Sequence, residues 1–213
     1  MKKILLLFTL TFCLSISKAQ NYNPFPTGND SIVWNITEWS WGNPFGYFLY
    51  SQGDSLINGL SYTKYYQGDS LYNSSNPLTL LIREENKKIF TKSLTSNSES
   101  LLYDFTLNIN DSISYDNQKW VLVKVDSILL ENNEYRKQYY YYVTEEFVYP
   151  DTAIATEGFG NIYEGFVNPI GIHYLDYGLV TTCIFTSTEI YYKNFSYINQ
   201  DCYKLQKPTS INY

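Results

Sequence analysis

Histidine, alanine and basic residues are scarce in this chain, and each scarcity removes a class of protein. The one histidine, His173, stands among apolar neighbours, where a packed side chain is more common than a general base. Alanine is rare after residue 19, and no window of a dozen residues has a helical period, which argues against helices. The net charge is −6. This argues against nucleic acid or an anionic membrane as partner, since both reward basic patches.

Long apolar runs are also missing after the first, which lies at residues 4–14 and follows two lysines. That run has the length of a signal-peptide core and falls short of the roughly 20 residues that span a bilayer. Small residues precede a cleavage point between Ala19 and Gln20. The sequence therefore predicts a signal peptide at residues 1–19.

The remaining chain, residues 20–213, has the length of a single domain. Because the signal peptide directs export, we expect the protein to be secreted, held at the cell surface or periplasmic. Because no second apolar run follows, we expect that it is not an integral membrane protein. An uncleaved N-terminal anchor and a lipoprotein are the alternatives. The lipoprotein is disfavoured because Phe12, rather than a small residue, precedes Cys13.

Cysteine is limited to Cys183 and Cys202 once the signal peptide is removed. An even pair in an exported chain predicts a disulfide, and closing a loop of about 20 residues is worth roughly 3 kcal/mol in the chain-entropy account. Two buried free thiols are the alternative. Two cysteines and a distant histidine cannot supply four zinc ligands, so we expect neither a metal nor another cofactor.

Tyrosine is abundant, with 23 copies, and aromatic residues reach 18% of the chain. Tyrosine suits pleated, half-buried surfaces, because its ring packs on a sheet while its hydroxyl reaches water. We predict an all-β domain, an antiparallel meander of about ten strands that forms a sandwich or an open barrel. The predicted strands are 31–41, 45–50, 62–66, 78–83, 88–92, 101–107, 119–130, 134–143, 179–186, 189–193 and a closing strand at 202–205, with a less regular stretch at 147–157.

Two predicted turns, residues 52–55 and 67–70, share the letters Gln-Gly-Asp-Ser and lie fifteen residues apart. With the leucine that follows, each copy spells the nucleophile block of GDSL hydrolases. Such an enzyme needs a histidine base with an aspartate three residues before it, and Ile170 occupies that place before His173. We interpret both copies as turn chemistry.

Carboxylates and glycines near residues 157–165 offer two further candidate sites. Glu157 and Glu164 border a glycine-rich stretch and are the best available pair for glycoside hydrolysis, which needs two carboxyl groups on either side of one bond. The glycines at 158, 160 and 165 resemble a dinucleotide loop only loosely and are expected to supply backbone positions with positive φ.

Aromatic residues could form a strip that stacks on sugar rings. Four consecutive tyrosines in a strand must place two rings on each face, so part of the run is expected to be exposed. Core or cross-strand packing is the more common fate of such residues. The candidates are Trp34, Trp39, Trp41, Tyr139, Tyr140, Tyr141 and Tyr142.

A triplet of Asp, then Ser or Thr, then an aliphatic residue occurs six times, mostly where a turn leads into a strand. The favoured interpretation is that the polar side chains bond to turn backbone. The alternative is that the triplet is similar to the O-glycosylation acceptor of exported Bacteroidota proteins, and intact mass would decide between them. The hydroxyl residues are Ser31, Ser55, Ser70, Ser112, Ser127 and Thr152.

A longer pattern resembles a group of uncharacterised exported Bacteroidota proteins. It consists of Arg-Glu-Glu at 83–85, the run 101–107 ending before Asp111, Glu-Gly-Phe-Gly-Asn at 157–161, and the two spaced cysteines. Many members carry a C-terminal sorting domain for type IX secretion. No such domain is visible here, and Asn110 stands where members usually have glycine. The resemblance implies no catalytic residues.

Three functional hypotheses follow from these patterns. The leading one is an exported, non-catalytic β-domain that binds a glycan or a cell-surface protein. The second is an extracellular hydrolase of polysaccharide that uses Glu157 and Glu164. The third is a structural module of the cell envelope.

Overall fold

The structure is a computed structural model that describes residues 21–28, 30–40, 45–94, 98–115, 118–143, 152–163, 165, 177–194 and 201–203. Twelve strands and no helix are found in these residues. The strands are β1 (Val33–Ser40), β2 (Phe45–Ile57), β3 (Leu60–Gly68), β4 (Leu78–Glu85), β5 (Lys88–Lys92), β6 (Glu99–Asp104), β7 (Ser112–Tyr115), β8 (Gln118–Leu129), β9 (Tyr135–Val143), β10 (Thr152–Thr156), β11 (Tyr177–Phe185) and β12 (Ile190–Lys193).

The strands form two antiparallel sheets. Strands β1 to β6 follow one another as a meander, and β11 and β12 return to the free side of β1, which gives the order β12-β11-β1-β2-β3-β4-β5-β6. Strands β7 to β10 form a second meander in the order β10-β9-β8-β7. The predicted all-β antiparallel fold is confirmed, and β7 is a strand that the sequence analysis missed.

One hydrophobic cluster joins the two sheets. Trp34 and Ile36 of β1 lie two residues apart in this cluster, as do Trp120 and Leu122 of β8. This spacing of two is the period at which a strand presents one face to a core. A smaller cluster on the other face of β1, β2 and β11 contains Val33, Phe48, Tyr50, Cys183, Phe185 and Cys202. The middle of the larger sheet is therefore buried on both faces.

A disulfide joins Cys183 in β11 to Cys202, nineteen residues later, as predicted. The closing strand predicted at 202–205 is not found in its described part, because Cys202 and Tyr203 lie in a turn, and residues 204–205 lie outside the described residues. This segment is attached by side chains instead of by strand pairing. The amide of Asn35 donates to the Cys202 carbonyl at 3.1 Å, and the ring of Tyr203 meets that of Phe185 edge-on at 4.7 Å.

The predicted turn at residues 52–55 is also wrong. Strand β2 runs on to Ile57 through a β-bulge at this point, where Gly53 has a φ of 68°. The chain turns instead at Asn58 and Gly59, both with positive φ, as in a tight two-residue hairpin. The prediction for residues 67–70 is better, since β3 ends at Gly68 and a bend follows.

Candidate functional site

A short extended segment, residues 24–27, crosses one end of the core, and we call it the strap. Phe25 is buried, and its ring stacks between Trp34 at 6.4 Å and Tyr103 at 6.5 Å. The backbone N–H of Phe25 donates to Glu84 at 2.6 Å, and the hydroxyl of Tyr65 donates to the Pro26 carbonyl at 3.3 Å. The strap is thus attached to β1, β3, β4 and β6 by one aromatic side chain and two hydrogen bonds.

Gly28, directly after the strap, lies against β2 so closely that no side chain fits. A Cβ on Gly28 would stand 2.4 Å from the backbone carbon of Gly53. The carbonyl of Gly28 accepts from the Gly53 N–H at 2.9 Å, and its own N–H donates to Asp54 at 3.2 Å. Gly53 and Asp54 of the Gly-Asp-Ser motif therefore hold Gly28, the residue that follows the strap.

A cleft of about 420 Å³ lies beside the strap, and we call it the first cleft. One wall is the strap with Asp30, and the facing wall is the β11–β12 loop, residues 186–188. Buried Phe25, Ile32 and Phe159 form its floor. The volume falls in the range of about 300–1,000 Å³ that is usual for small-ligand sites.

Arg136 and Tyr191 close one end of the first cleft. The guanidinium of Arg136 lies over the ring of Phe159 at 5.7 Å, and its Nη2 donates to Glu134 at 2.7 Å. The side chain of Arg136 is 13% exposed, and its Nε is buried with no hydrogen-bond partner among the described residues. Among the described residues that line the first cleft, Arg136 is the cation, and its guanidinium can donate hydrogen bonds but accept none.

Tyr191 is the half-buried aromatic ring of the cleft, and it packs on Phe159 with ring centroids 5.2 Å apart. Burial, and next the neighbouring Glu189 carboxylate, raise the pKa of Tyr191. The phenol therefore stays protonated at neutral pH, with its hydrogen directed to Glu189. Its ring and its hydroxyl could contact different parts of one ligand.

Polar groups at the rim of the first cleft are held by local hydrogen bonds. Asp30 accepts from the N–H of Thr27 and from its hydroxyl, the latter at 2.9 Å. Across the cleft, the hydroxyl of Thr186 accepts from the N–H of Glu189 at 3.2 Å, which shapes the loop that exposes the hydroxyls of Ser187 and Thr188. The cleft thus combines an apolar floor with a rim of donors and acceptors.

The predicted aromatic strip is divided between the core and the surface. Trp34 is fully buried beneath Phe25, so its ring presents no face to a ligand. Trp39 lies in β1, but its side chain is outside the described residues, as is the whole of Trp41.

The four tyrosines of β9 alternate as expected for a strand. Tyr139 and Tyr141 are buried, with hydroxyls 3.2 Å from the Phe105 carbonyl and 3.3 Å from the Asp104 carbonyl. Tyr142 is 47% exposed, and Tyr140 is half-buried with the ammonium of Lys124 5.0 Å from its ring centre. Tyr140 and Tyr142 thus form an outward aromatic pair, separate from the first cleft.

The predicted carboxylate pair is only partly described. Glu157 is 1% exposed, and its Oε1 lies 3.2 Å from the hydroxyl of Tyr139. Burial raises the pKa of Glu157, against the attraction of Lys137. Glu164 lies outside the described residues, as does His173.

The sequence analysis did not identify the first cleft. Its walls come from the strap, the start of β9, the turn after β10 and the β11–β12 loop, which are far apart in the sequence. Arg136 carried no distinguishing signal, because a second cation, Lys137, follows it in β9. No cluster of three potential metal ligands occurs among the described residues, and none of them forms a helix suited to crossing a membrane.

Comparison with known proteins gives no relative from which a function could be transferred. No family model, no curated protein and no solved structure matches this chain.

Proposed function

We propose that this protein is an exported, non-catalytic β-domain that binds a glycan in the first cleft. The observation that carries the proposal is the combination of an aromatic floor with the guanidinium of Arg136 in the lining of the cleft. A sugar ring has an apolar face of C–H groups and a rim of hydroxyls. It therefore matches a cleft with rings below and polar groups around.

The assignment of partners inside the cleft follows from these contacts. Tyr191 is the most exposed aromatic ring among the described residues that line the cleft, because Phe25 and Phe159 are buried. Arg136 donates to a sugar oxygen, and the carboxylate of Asp30 accepts from a sugar hydroxyl. Hydrogen bonds to charged groups are worth about 1.5–3 kcal/mol each, so two of them account for weak but selective binding.

Export by the predicted signal peptide, residues 1–19, belongs to the same proposal. The disulfide of Cys183 and Cys202 supports it, since such bonds persist in oxidising compartments. The resemblance to exported Bacteroidota proteins points the same way. Fractionation of the native cells distinguishes a released protein from one that is attached to the surface or kept in the periplasm.

Binding without hydrolysis is favoured by the position of Glu157. A general acid must come within hydrogen-bond reach of the glycosidic oxygen, and Glu157 is enclosed against Tyr139 beneath the turn after β10. Its neighbours Gly158 and Phe159 line the first cleft, whereas Glu157 itself is not among the lining residues.

The test is retention of the exported chain on immobilised polysaccharides, with released reducing sugar followed in parallel. Ser187→Tyr should abolish retention, because the new ring fills the first cleft from the exposed loop. Ser100→Tyr is the matched control, an exposed serine in β6 that lines no part of the cleft. If Ser187→Tyr keeps retention and Tyr140→Ala/Tyr142→Ala loses it, the glycan site lies on the outer face of β9 and not in the first cleft. No retention on any polysaccharide would end the proposal and favour a structural module, and release of sugar would favour a hydrolase.

We further propose O-glycosylation at the Asp-Ser/Thr-aliphatic triplets. Ser70, Ser112, Ser127 and Thr152 are exposed, whereas Ser31 and Ser55 are half-buried. The exposed four are therefore the expected acceptors. Intact mass of the protein from its native cell, followed by peptide mapping, tests this, and a mass equal to that of the bare chain would refute it.

A further inference from the structure

A second cleft, of about 360 Å³, lies on the opposite flank of the strap. The four strap residues line both clefts. The other walls of the second cleft come from β2, β3, β4 and the β4–β5 turn. They consist of Asp54, Ser61, Thr63, Ile82, Arg83, Glu84 and Asn86.

Strand register places the two clefts at the same end of the larger sheet. The Ile32 carbonyl, at the floor of the first cleft, accepts from the N–H of Ser51, which pairs with Tyr65. Two residues from Tyr65 along β3, Thr63 pairs with Asp54 of β2 and with Ile82 of β4. These three residues line the second cleft. The β11–β12 loop lies at this end as well, because Phe185 pairs with Val33 at the start of β1. A linear polymer could therefore extend from one cleft to the other along this end of the sheet.

The strap between the clefts is a fixed ridge. Phe25 anchors its centre in the core, and the acceptors Glu84 and Asp54 hold the strap and Gly28 from the side of the second cleft. Gly158 lies against it from the side of the first cleft, where a Cβ would come within 3.2 Å of the Pro24 carbonyl. The ridge carries Pro24 and Pro26, which have no N–H to satisfy and present apolar rings.

The second cleft is lined by charged, hydroxyl and amide side chains where the first has aromatic rings. Asp54 accepts from the hydroxyl of Thr63 at 3.0 Å, which fixes the carboxylate, and Ser61 and Asn86 add an exposed hydroxyl and an exposed turn amide. Among the described residues that line it, Phe25 of the shared strap has the only aromatic ring. Such a site offers hydrogen bonds to hydroxyl groups without a stacking platform.

We infer that the second cleft is a second sugar subsite, and that the ligand is a linear oligosaccharide or polysaccharide that crosses the strap. This inference rests on the proposed function of the first cleft. The first cleft holds one part of the chain by stacking and by Arg136, the prolines of the ridge support the linkage, and the second cleft binds the next part through its carboxylates and hydroxyls.

The experiment is calorimetric titration of the exported chain with cello-, xylo-, malto- and chito-oligosaccharides, each from the disaccharide to the hexasaccharide. In the series that binds, affinity should rise by about tenfold, equivalent to about 1.4 kcal/mol, once the oligosaccharide is long enough to reach across the strap. Ser61→Tyr, which fills the second cleft, should bind the short members like the parent and lose the tenfold gain. Ser100→Tyr should keep it, and thermal melting checks that all variants fold.

The outcomes separate the two proposals. Binding that does not depend on length, or a length dependence that Ser61→Tyr leaves intact, overturns the second subsite while the first cleft stands. Absence of binding in every series overturns the proposed function itself. Loss of all binding in Ser61→Tyr, with none lost in Ser187→Tyr, would overturn both assignments, because the second cleft would then be the primary site.

Discussion

The hydroxyl of Tyr139 lies 3.2 Å from the Glu157 carboxyl group and 3.2 Å from the carbonyl oxygen of Phe105. Its single hydrogen can satisfy only one of these two buried acceptors. A protonated Glu157 would resolve the conflict, since it could donate to the tyrosine oxygen and leave the phenol hydrogen to Phe105. Burial raises the pKa of Glu157, so the proton is retained to higher pH than by an ordinary glutamate.

Replacement of Glu157 by glutamine should therefore stabilise the protein at neutral pH. In the parent, the folded state holds a proton that the unfolded state has lost in the window above the ordinary carboxyl pKa. Stability then falls as pH rises through that window. Glutamine keeps a donor and an acceptor for Tyr139 without this dependence. Urea unfolding should be measured for both proteins across pH. The free energy of unfolding of Glu157→Gln should equal that of the parent in acid and should exceed it most at neutral pH.

Glu131→Gln is the matched control for this prediction, because Glu131 is exposed in the β8–β9 turn. A Glu157→Gln variant that is less stable than the parent at neutral pH would show that the ionised carboxylate makes net favourable contacts. The interpretation that the Tyr139 hydroxyl faces two competing acceptors would then be wrong.

Reduction of the disulfide should cost about 3 kcal/mol, because Cys183 and Cys202 close a loop with a separation of nineteen residues. For a domain of this size, each kcal/mol lowers Tm by roughly 2–4 °C. Calorimetry with and without a reductant measures the loss. Cys183→Ala/Cys202→Ala should melt near the reduced parent and should not respond to the reductant. An unchanged Tm on reduction would contradict the prediction.

Strand positions and the disulfide could be predicted because both depend on local signals. Alternation in β8 and β9 marks a long hairpin whatever surrounds it, and two cysteines allow one pairing. The error at residues 52–55 has a local cause as well. Asn58-Gly59, the stronger hairpin signal, follows directly, and Gly53 is needed for a bulge and not for a turn.

The strap, the clefts and the strand order could not be predicted, because they depend on contacts between distant residues. The N–H of Phe25 meets Glu84 fifty-nine positions away, and nothing near Phe25 distinguishes it from a residue of a loose N-terminal segment. Likewise, the pairing of β11 with β1 is not encoded in either strand alone. Trp34 looked like a ligand-binding residue for the same reason, since its burial depends on Phe25 and Tyr65.

Arg83 and Glu99 form the most enclosed ion pair among the described residues. Two nitrogens of Arg83 donate to the two oxygens of Glu99 at 2.6 and 2.8 Å, and the hydroxyl of Tyr62 donates to the same carboxylate at 2.6 Å. The side chains are 11% and 22% exposed. The hydrogen bonds from Arg83 hold the pKa of Glu99 below its ordinary value, against the opposing effect of burial.

Glu99→Gln should cost about 2 kcal/mol at neutral pH, the scale of hydrogen bonds to a charged group. The unfolded state takes up a proton before the folded state as pH falls, so the stability from this pair is present above the ordinary carboxyl pKa. It is lost in acid. A double-mutant cycle of Glu99→Gln with Arg83→Met, measured by urea unfolding, should give a coupling of about 1–2 kcal/mol. Asp126→Asn, in the exposed pair with Lys124, is the control and should have little effect. Additive effects at Arg83 and Glu99 would contradict the pairing.

Gly160 and Gly59 allow backbone strain to be separated from a steric clash. Both have positive φ, 67° for Gly160 and 80° for Gly59. A Cβ on Gly59 would meet nothing within 4 Å, whereas a Cβ on Gly160 would come within 2.7 Å of the ring of Tyr103. That ring cannot easily move, because its hydroxyl accepts from the N–H of Asn161 at 3.0 Å and its face packs on Phe25 and Phe105.

Gly59→Ala should therefore cost about 1 kcal/mol, the price of a left-handed backbone for alanine. Gly160→Ala should cost about 3 kcal/mol or more, since displacement of Tyr103 adds overpacking of the core. Urea unfolding of the two variants measures the difference. Tyr103→Leu in the Gly160→Ala background tests the cause, because removal of the ring should recover part of the loss relative to Tyr103→Leu alone. Equal costs at the two glycines would show that strain alone decides the effect, and that the turn after β10 is free to move away from Tyr103.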